Sequence, residues 1–187
     1  MEIRLARDED AAACLEIYRP FVENTAISFE TEMPALPAFR DRIRETVRWA
    51  PWLVCVVDGV TAGFAYAAPF RSRPAYRWSV ECTVYVNETH RRLGVGRALF
   101  GQLFEGLRLQ GFVSALAVIT LPNPASIALH TALGFEKSGA FPKVGYKLGK
   151  WHDVEWWRLE LQPAPDTPAE PRPVAEVAKI LDWPGAR

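Results

Sequence analysis

Residues 78–109, WSVECTVYV followed by NETHRRLGVGRALFGQLFEGLRL, join a strand pattern to a helix pattern through a glycine-containing turn. Trp78, Val80, Cys82, Val84 and Val86 alternate with Ser79, Glu81, Thr83 and Tyr85, the period-two spacing of a strand with two different faces. Val95, Leu99, Leu103 and Leu107 then recur at helical spacing. Between the two stand Arg91, Arg92, Leu93, Gly94, Val95 and Gly96. A helix mouth offers unpaired N–H groups and a partial positive charge, which suits a phosphate, and glycine lets the backbone come close. A dinucleotide fingerprint would need a third glycine where Leu99 stands, and a nucleotide-hydrolysing phosphate loop would need Gly-Lys-Ser/Thr. Neither is present. Spacing alone fits an ordinary strand–turn–helix as well as an anion-binding turn.

The rest of the chain predicts the order βααβββαβαββ. Residues 3–6 read as a strand. Asp8 would cap a helix carrying Ala11, Cys14 or Leu15, Tyr18 and Val22 on one face, stopping near Arg19 because Pro20 disfavours helical geometry before it. A second helix spans about 36–49 and ends before Pro51. Asp58-Gly59 between apolar runs predicts a hairpin of 52–57 with 61–68. The loop 69–77 is arginine-rich and leads into the central strand. Gly111 caps the central helix, 114–120 is an apolar strand, and Asn123 with Pro124 starts another helix that Gly134 ends. Residues 135–141 and 145–161 predict two more strands, the last rich in tryptophan. Prolines then recur at 163, 165, 168, 171 and 173, the composition of a surface-hugging or disordered tail. Strand–helix–strand units around the central helix imply parallel pairing there, and the hairpin implies antiparallel pairing before it. The expected fold is an α/β mixed, mostly antiparallel sheet with helices on both faces, one domain over 1–161, and a proline-rich tail over 162–187.

The chain of 187 residues is long enough for one real core. Lysine plus arginine equals aspartate plus glutamate at 22 each, which argues against a nucleic-acid or membrane-surface binder. The charged start MEIRLARDED lacks a signal peptide's apolar centre, and the apolar run near 112–121 is too short to cross a bilayer. Cys14, Cys55 and Cys82 are scattered and read as reduced, packed thiols of a cytoplasmic protein. His90 and His152 have no ligand spacing around them, so no metal is expected.

Several longer stretches carry a resemblance: SFETE at 28–32, PWLV at 51–54, FRSRPAYRWSVE at 70–81, VYV at 84–86, TLPNPAS at 120–126, ALHTALGF at 128–135 and VGYKLGKWHDV at 144–154. With Arg91, Gly94 and Gly96 of the loop, they resemble the GNAT superfamily of N-acetyltransferases, and within it the phosphinothricin (glufosinate) and methionine-sulfoximine acetyltransferases. The likeness covers about 1–161, and even PRPV in the tail resembles one branch. It implies a GNAT-type acyl-CoA fold with acetyl-CoA as co-substrate. The backbone of Val84, Tyr85 and Val86 would hold the pantetheine arm. The amides of Arg92, Leu93, Gly94, Val95, Gly96 and Arg97 would hold the pyrophosphate. Asn123 would touch the arm near the thiol. A homodimer is also implied.

Acetyl transfer to an amine needs a base for the amine and a proton for the departing thiolate. Glu81, in the position of the related enzymes' TVE or SVE glutamate, is the candidate base, directly or through water; a carboxylate merely paired with a loop arginine is the plainer alternative. His130 is the candidate proton donor or relay, against a histidine that only packs and contacts the cofactor. A backbone N–H near Val84 would meet the thioester oxygen. Arg73, then Arg71, would pair with a small amino acid's carboxylate, with Tyr76 and Phe29 as pocket walls, unless these arginines are simply solvated at a subunit contact. The expected activity is N-acetylation of a small amino acid or toxic analogue by direct transfer. A non-catalytic acetyl-CoA sensor, peptide N-terminal acetylation and another small amine stay open.

Overall fold

A computed structural model describes residues 1–184. Its strands are β1 (Glu2–Leu5), β2 (Trp52–Val57), β3 (Val60–Pro69), β4 (Ser79–Val86), β5 (Ser114–Thr120), β6 (Glu136–Lys147) and β7 (Lys150–Glu160). The helices are α1 (Ala11–Glu23), α2 (Leu36–Val47), α3 (Val95–Gln110), α4 (Pro124–Ala132) and α5 (Val174–Ile180). All strands join one sheet in the order β1-β2-β3-β4-β5-β7-β6. Pairing is antiparallel throughout except between β4 and β5. The mixed α/β sheet and its expected element order are therefore found, with one further helix in the tail.

The sheet separates two apolar layers. On one side Tyr18, Val22, Phe39 and Ile43 of α1 and α2 bury against Trp52, Val54, Phe64 and Tyr85. On the other, Leu99, Phe100, Leu103 and Leu107 of α3 bury against Ala65, Val80, Cys82, Ala115 and Ala117. Alternation along β4 thus sends Val80 and Cys82 to the α3 layer and Tyr85 to the α1 layer. Gly63 of β3 permits the close approach of α3: a Cβ there would stand 2.8 Å from the Tyr85 carbonyl oxygen and 3.1 Å from Val95 Cγ1.

Local expectations are corrected in three places. α1 does not stop at Arg19 but runs through Pro20 to Glu23. Burial of Tyr18 and Val22 holds the last turn to the sheet, and Arg19 bridges Glu16 and Glu23 across the proline. Asp8 does not cap this helix; it pairs with Arg44, while Asp10 accepts from the Arg7 N–H at 2.7 Å and from Arg4. The last hairpin turns at Leu148 and Gly149, both at positive φ (52° and 76°), so Lys147 faces Lys150. That two-residue geometry ordinarily selects Asn-Gly, and leucine hides it. The expected break near 142–144 is instead a register shift within β6, where the Lys143 N–H donates to Asp153 Oδ1.

The expected tail packs on the same core as far as it is described; its residues 185–187 lie outside the described residues. Val174, Val177, Ala178 and Trp183 are buried. Trp183 Nε1 donates to Gln102 Oε1 at 2.9 Å, and its ring lies where a Cβ on Gly106 would come within 2.6 Å. Gln110 Nε2 donates to the Arg172 and Trp49 carbonyls, both at 2.8 Å. Trp183→Ala is expected to cost about 3 kcal/mol, as an emptied aromatic site does, read as a lower urea midpoint. An unchanged midpoint would place the tail outside the cooperative unit.

Candidate active site

β4 and β5 pair only at Ser79–Ser114, Val80–Ala115 and Glu81–Leu116. Beyond Glu81 they part. β3 still holds the far edge of β4 as far as Val86, and β7 holds the far edge of β5 as far as Thr120. The gap is a groove of about 290 Å³ passing through the sheet. Glu81, Thr83, Tyr85, Val118 and Thr120 line it from one face, Cys82, Val84, Ala117 and Ile119 from the other. α4 closes one side with Asn123, Ser126 and His130, and the loop before α2 closes another with Ile27, Ser28 and Phe29. The inner edge of β4 past Glu81 therefore keeps backbone groups without a strand partner, which suits an extended ligand carrying amides.

Glu81 stands at the last paired position, where the strands begin to diverge. Burial pushes its carboxyl above the usual carboxylate range, and the positive charge of Arg71 opposes this. His130 is buried on α4 between the rings of Phe100 and Phe135, at 5.4 and 4.9 Å. Its Nδ1 lies 2.8 Å from the Ser126 carbonyl oxygen, which can only accept, so Nδ1 carries the proton. Nε2 is then a bare lone pair, and it is buried without a partner among the described residues. Burial lowers the His130 pKa despite that hydrogen bond, which keeps the imidazole neutral.

Asn123 caps α4, its Oδ1 accepting from the Ser126 N–H at 3.2 Å. α3 opens on Gly94 in the left-handed region (φ 82°), with no side-chain cap. Its first-turn N–H groups are thus left for a ligand. Gly96 joins this mouth to the groove: a Cβ on it would lie 3.6 Å from Val86 of β4 and 3.4 Å from Leu129 of α4. Arg91 stacks 5.6 Å over the Phe21 ring, and Arg92, Leu93 and Arg97 are exposed around the turn.

Of the residues singled out from the sequence, the structure brings Phe29, Glu81, Val84, Tyr85, Asn123 and His130 to the groove wall. Val86 and the 91–97 turn adjoin its end. Arg71, Arg73 and Tyr76 are not part of the wall. Arg71 lies 4.5 Å over Phe70 and 5.2 Å over Trp156, close enough for its charge to reach Glu81. Tyr76 packs edge-on against Phe70 at 5.5 Å, and Arg73 is exposed just before the short turn Pro74–Tyr76. The tryptophans of β7 divide: Trp157 is buried in the core while Trp151 is 58% exposed. Tyr66, Thr83 and Ser28 also line the groove; on alternating or loop sequence they carry no pattern that separates them from ordinary packing.

The acetyltransferase (GNAT) domain family matches residues 3–156. A phosphinothricin N-acetyltransferase from Streptomyces viridochromogenes is 43% identical over 180 residues, 96% of each chain. An L-methionine sulfoximine/L-methionine sulfone acetyltransferase from Salmonella typhimurium is 35% identical, covering 89% of this chain and 99% of that one. The crystal structure of a GNAT-superfamily phosphinothricin acetyltransferase from Sinorhizobium meliloti in complex with acetyl-CoA is similar with a TM-score of 0.84 at 35% identity, over 90% of this chain and 92% of that one. A sheet parted at its one parallel pair, an uncapped glycine-opened helix beside the gap, and relatives matched along nearly the whole length agree: the chain belongs to the GNAT family of acetyltransferases.

Proposed function

We propose that the protein acetylates the α-amino group of a small amino acid or of a toxic analogue such as phosphinothricin or methionine sulfoximine, by direct transfer from acetyl-CoA. One observation carries this reading: the groove between β4 and β5 is bordered by a half-buried carboxylate, Glu81, and by an orphaned imidazole nitrogen, His130 Nε2. A site that only bound a thioester would need neither. The named activities of the relatives support the substrate class.

The residues fit acetyl-CoA. The unpaired edge of Val84, Tyr85 and Val86 suits the amides of a pantetheine arm, and Asn123 keeps its Nδ2 donors free beside it, since Oδ1 is used in the cap. The N–H groups of the 92–97 turn and the positive end of α3 suit a diphosphate. When bound, acetyl-CoA supplies the acetyl group as an activated thioester.

The protein's task is then proton management. An α-ammonium must lose two protons on becoming an amide; one ends on the departing sulfur and one is released. Glu81, as carboxylate, takes the first. His130, neutral with Nε2 bare, accepts the second there and hands it to sulfur, while its resting proton stays on Nδ1. Arg71, with its charge near Glu81, is better placed than Arg73 to hold the substrate carboxylate. The exposed apolar side chains Phe141, Val144, Tyr146, Leu148 and Trp151 on the β6–β7 hairpin support a homodimer built through that edge.

A panel of amines with released thiol as the readout tests the function; no turnover alongside retained acetyl-CoA binding would overturn it. Glu81→Gln should lower kcat by about a hundredfold or more with acetyl-CoA affinity kept. A base works only when deprotonated, so the wild-type rate persists above the raised Glu81 pKa and falls as pH drops through it. That acidic limb should vanish in the variant. Arg71→Ala removes the opposing charge, so the Glu81 pKa rises further and the limb moves to higher pH, while the Michaelis constant for the amino acid rises. An unmoved limb would show that Arg71 does not act on Glu81. Gly96→Val crowds the phosphate approach and should weaken acetyl-CoA binding by about tenfold or more in calorimetry; equal affinity would refute this placement.

A further inference from the structure

Phe29 lines the groove and its ring rests on the backbone of β6. Its ring lies on the Cα of Gly145 in β6: a Cβ there would overlap Cε2 and Cζ of the ring and stand 2.9 Å from Cδ2. His152, paired with Gly145 across the hairpin, flanks the ring at 6.2 Å. Gly145 does not adopt a positive φ, so its backbone does not demand glycine. The ring above it does.

The chain on either side of Phe29 is tied down. Buried Lys147, two residues along β6, donates from Nζ to the Ser28 carbonyl at 2.6 Å. The Ser28 hydroxyl lies 2.5 Å from the Tyr18 hydroxyl and accepts from the Glu30 N–H at 3.2 Å. Glu30 is in turn paired with Arg42 of α2. The His152 ring nitrogen Nε2 donates to the Lys147 carbonyl at 3.0 Å, fixing the strand segment that bears both Gly145 and Lys147. The main chain at Phe29 is therefore held on both sides, and the ring is the part freest to answer a change beneath it. The Glu81 carboxylate lines the same groove from β4, so any movement of the ring changes the room left for an amine's side chain.

We infer that the Phe29–Gly145 contact is a size filter for the acyl acceptor: the missing side chain at 145 lets the ring lie back on β6 and opens the groove to α-amino acids with extended side chains. The inference rests on the acetyl-transfer reading above.

Acetylation of graded α-amino acids, from alanine to methionine sulfone, by the full-length wild type, Gly145→Ala, Phe29→Ala and the double variant tests it. Gly145→Ala should lower kcat/KM about tenfold more for methionine sulfone than for the shortest amine accepted, with the Michaelis constant for acetyl-CoA unchanged. In the Phe29→Ala background the same substitution should have no length-dependent effect. If Gly145→Ala folds only beside Phe29→Ala, by its thermal melt, the Phe29→Ala single variant decides: a kcat/KM changed in favour of longer amines supports the filter, and an equal change at every length overturns it. A loss equal across all amines, a loss that persists without Phe29, or failure to fold in both backgrounds overturns the filter. Absence of wild-type turnover on every amine would overturn the acetyl-transfer reading and the filter with it, whereas normal wild-type turnover with a length-independent loss overturns the filter alone.

Discussion

β4 and β5 share three residue pairs and then separate, although each remains hydrogen-bonded on its outer edge. The separation is stable because β3 and β7 hold the two strands as rigid ribbons, and the twist of the sheet cannot close the gap from within. It leaves main-chain groups of β4 without strand partners, a condition that proteins rarely tolerate in a buried setting without a ligand or water to meet them. The rest of the site is arranged around that gap. α3 can stand at its end because Gly63 lets Val95 and Leu99 lie on β3. α4 can flank it because Asn123 starts that helix directly after β5.

Burial shifts the pKa values of Glu81 and His130 in opposite directions, and both shifts favour the uncharged form. The Glu81 carboxyl is raised and the His130 imidazole lowered. Among the described residues neither group is held in a salt bridge. Arg71 moderates the carboxylate from outside the wall, through charge rather than contact. The orphaned Nε2 follows from chain geometry: the Ser126 carbonyl one turn earlier takes Nδ1–H and aims the other nitrogen away.

Segments from both halves of the chain brace the elements around the site. The loop carrying Ile27, Ser28 and Phe29 is anchored by α1 through Tyr18 and by β6 through Lys147. The C-terminal segment crosses the arginine-rich loop, where the Trp78 indole donates to the Ala169 carbonyl and Arg77 pairs with Glu170. Buried α5 then locks this segment onto α3.

Strand alternation in 78–86, the glycine turn at 91–96, the helix after it and the caps at Asn123 and Gly111 were all legible, because each is a short-range pattern. Motif likeness points to Glu81 and His130, and the structure brings both to the groove wall; glycine and helix start together mark the 91–97 turn beside it. The Leu148–Gly149 turn, the passage of α1 through Pro20 and the burial of α5 were not legible, since packing across the chain overrides local preference at each. Gly145 beneath Phe29 and Lys147 beneath Ser28 were equally hidden: more than a hundred residues of chain separate the partners. Sequence alone determined the order of the elements from β1 to β7 and which types of chemistry they carry. Only the tertiary structure decided where β4 and β5 part, because strand separation depends on what holds each outer edge, and no run of neighbouring residues encodes that.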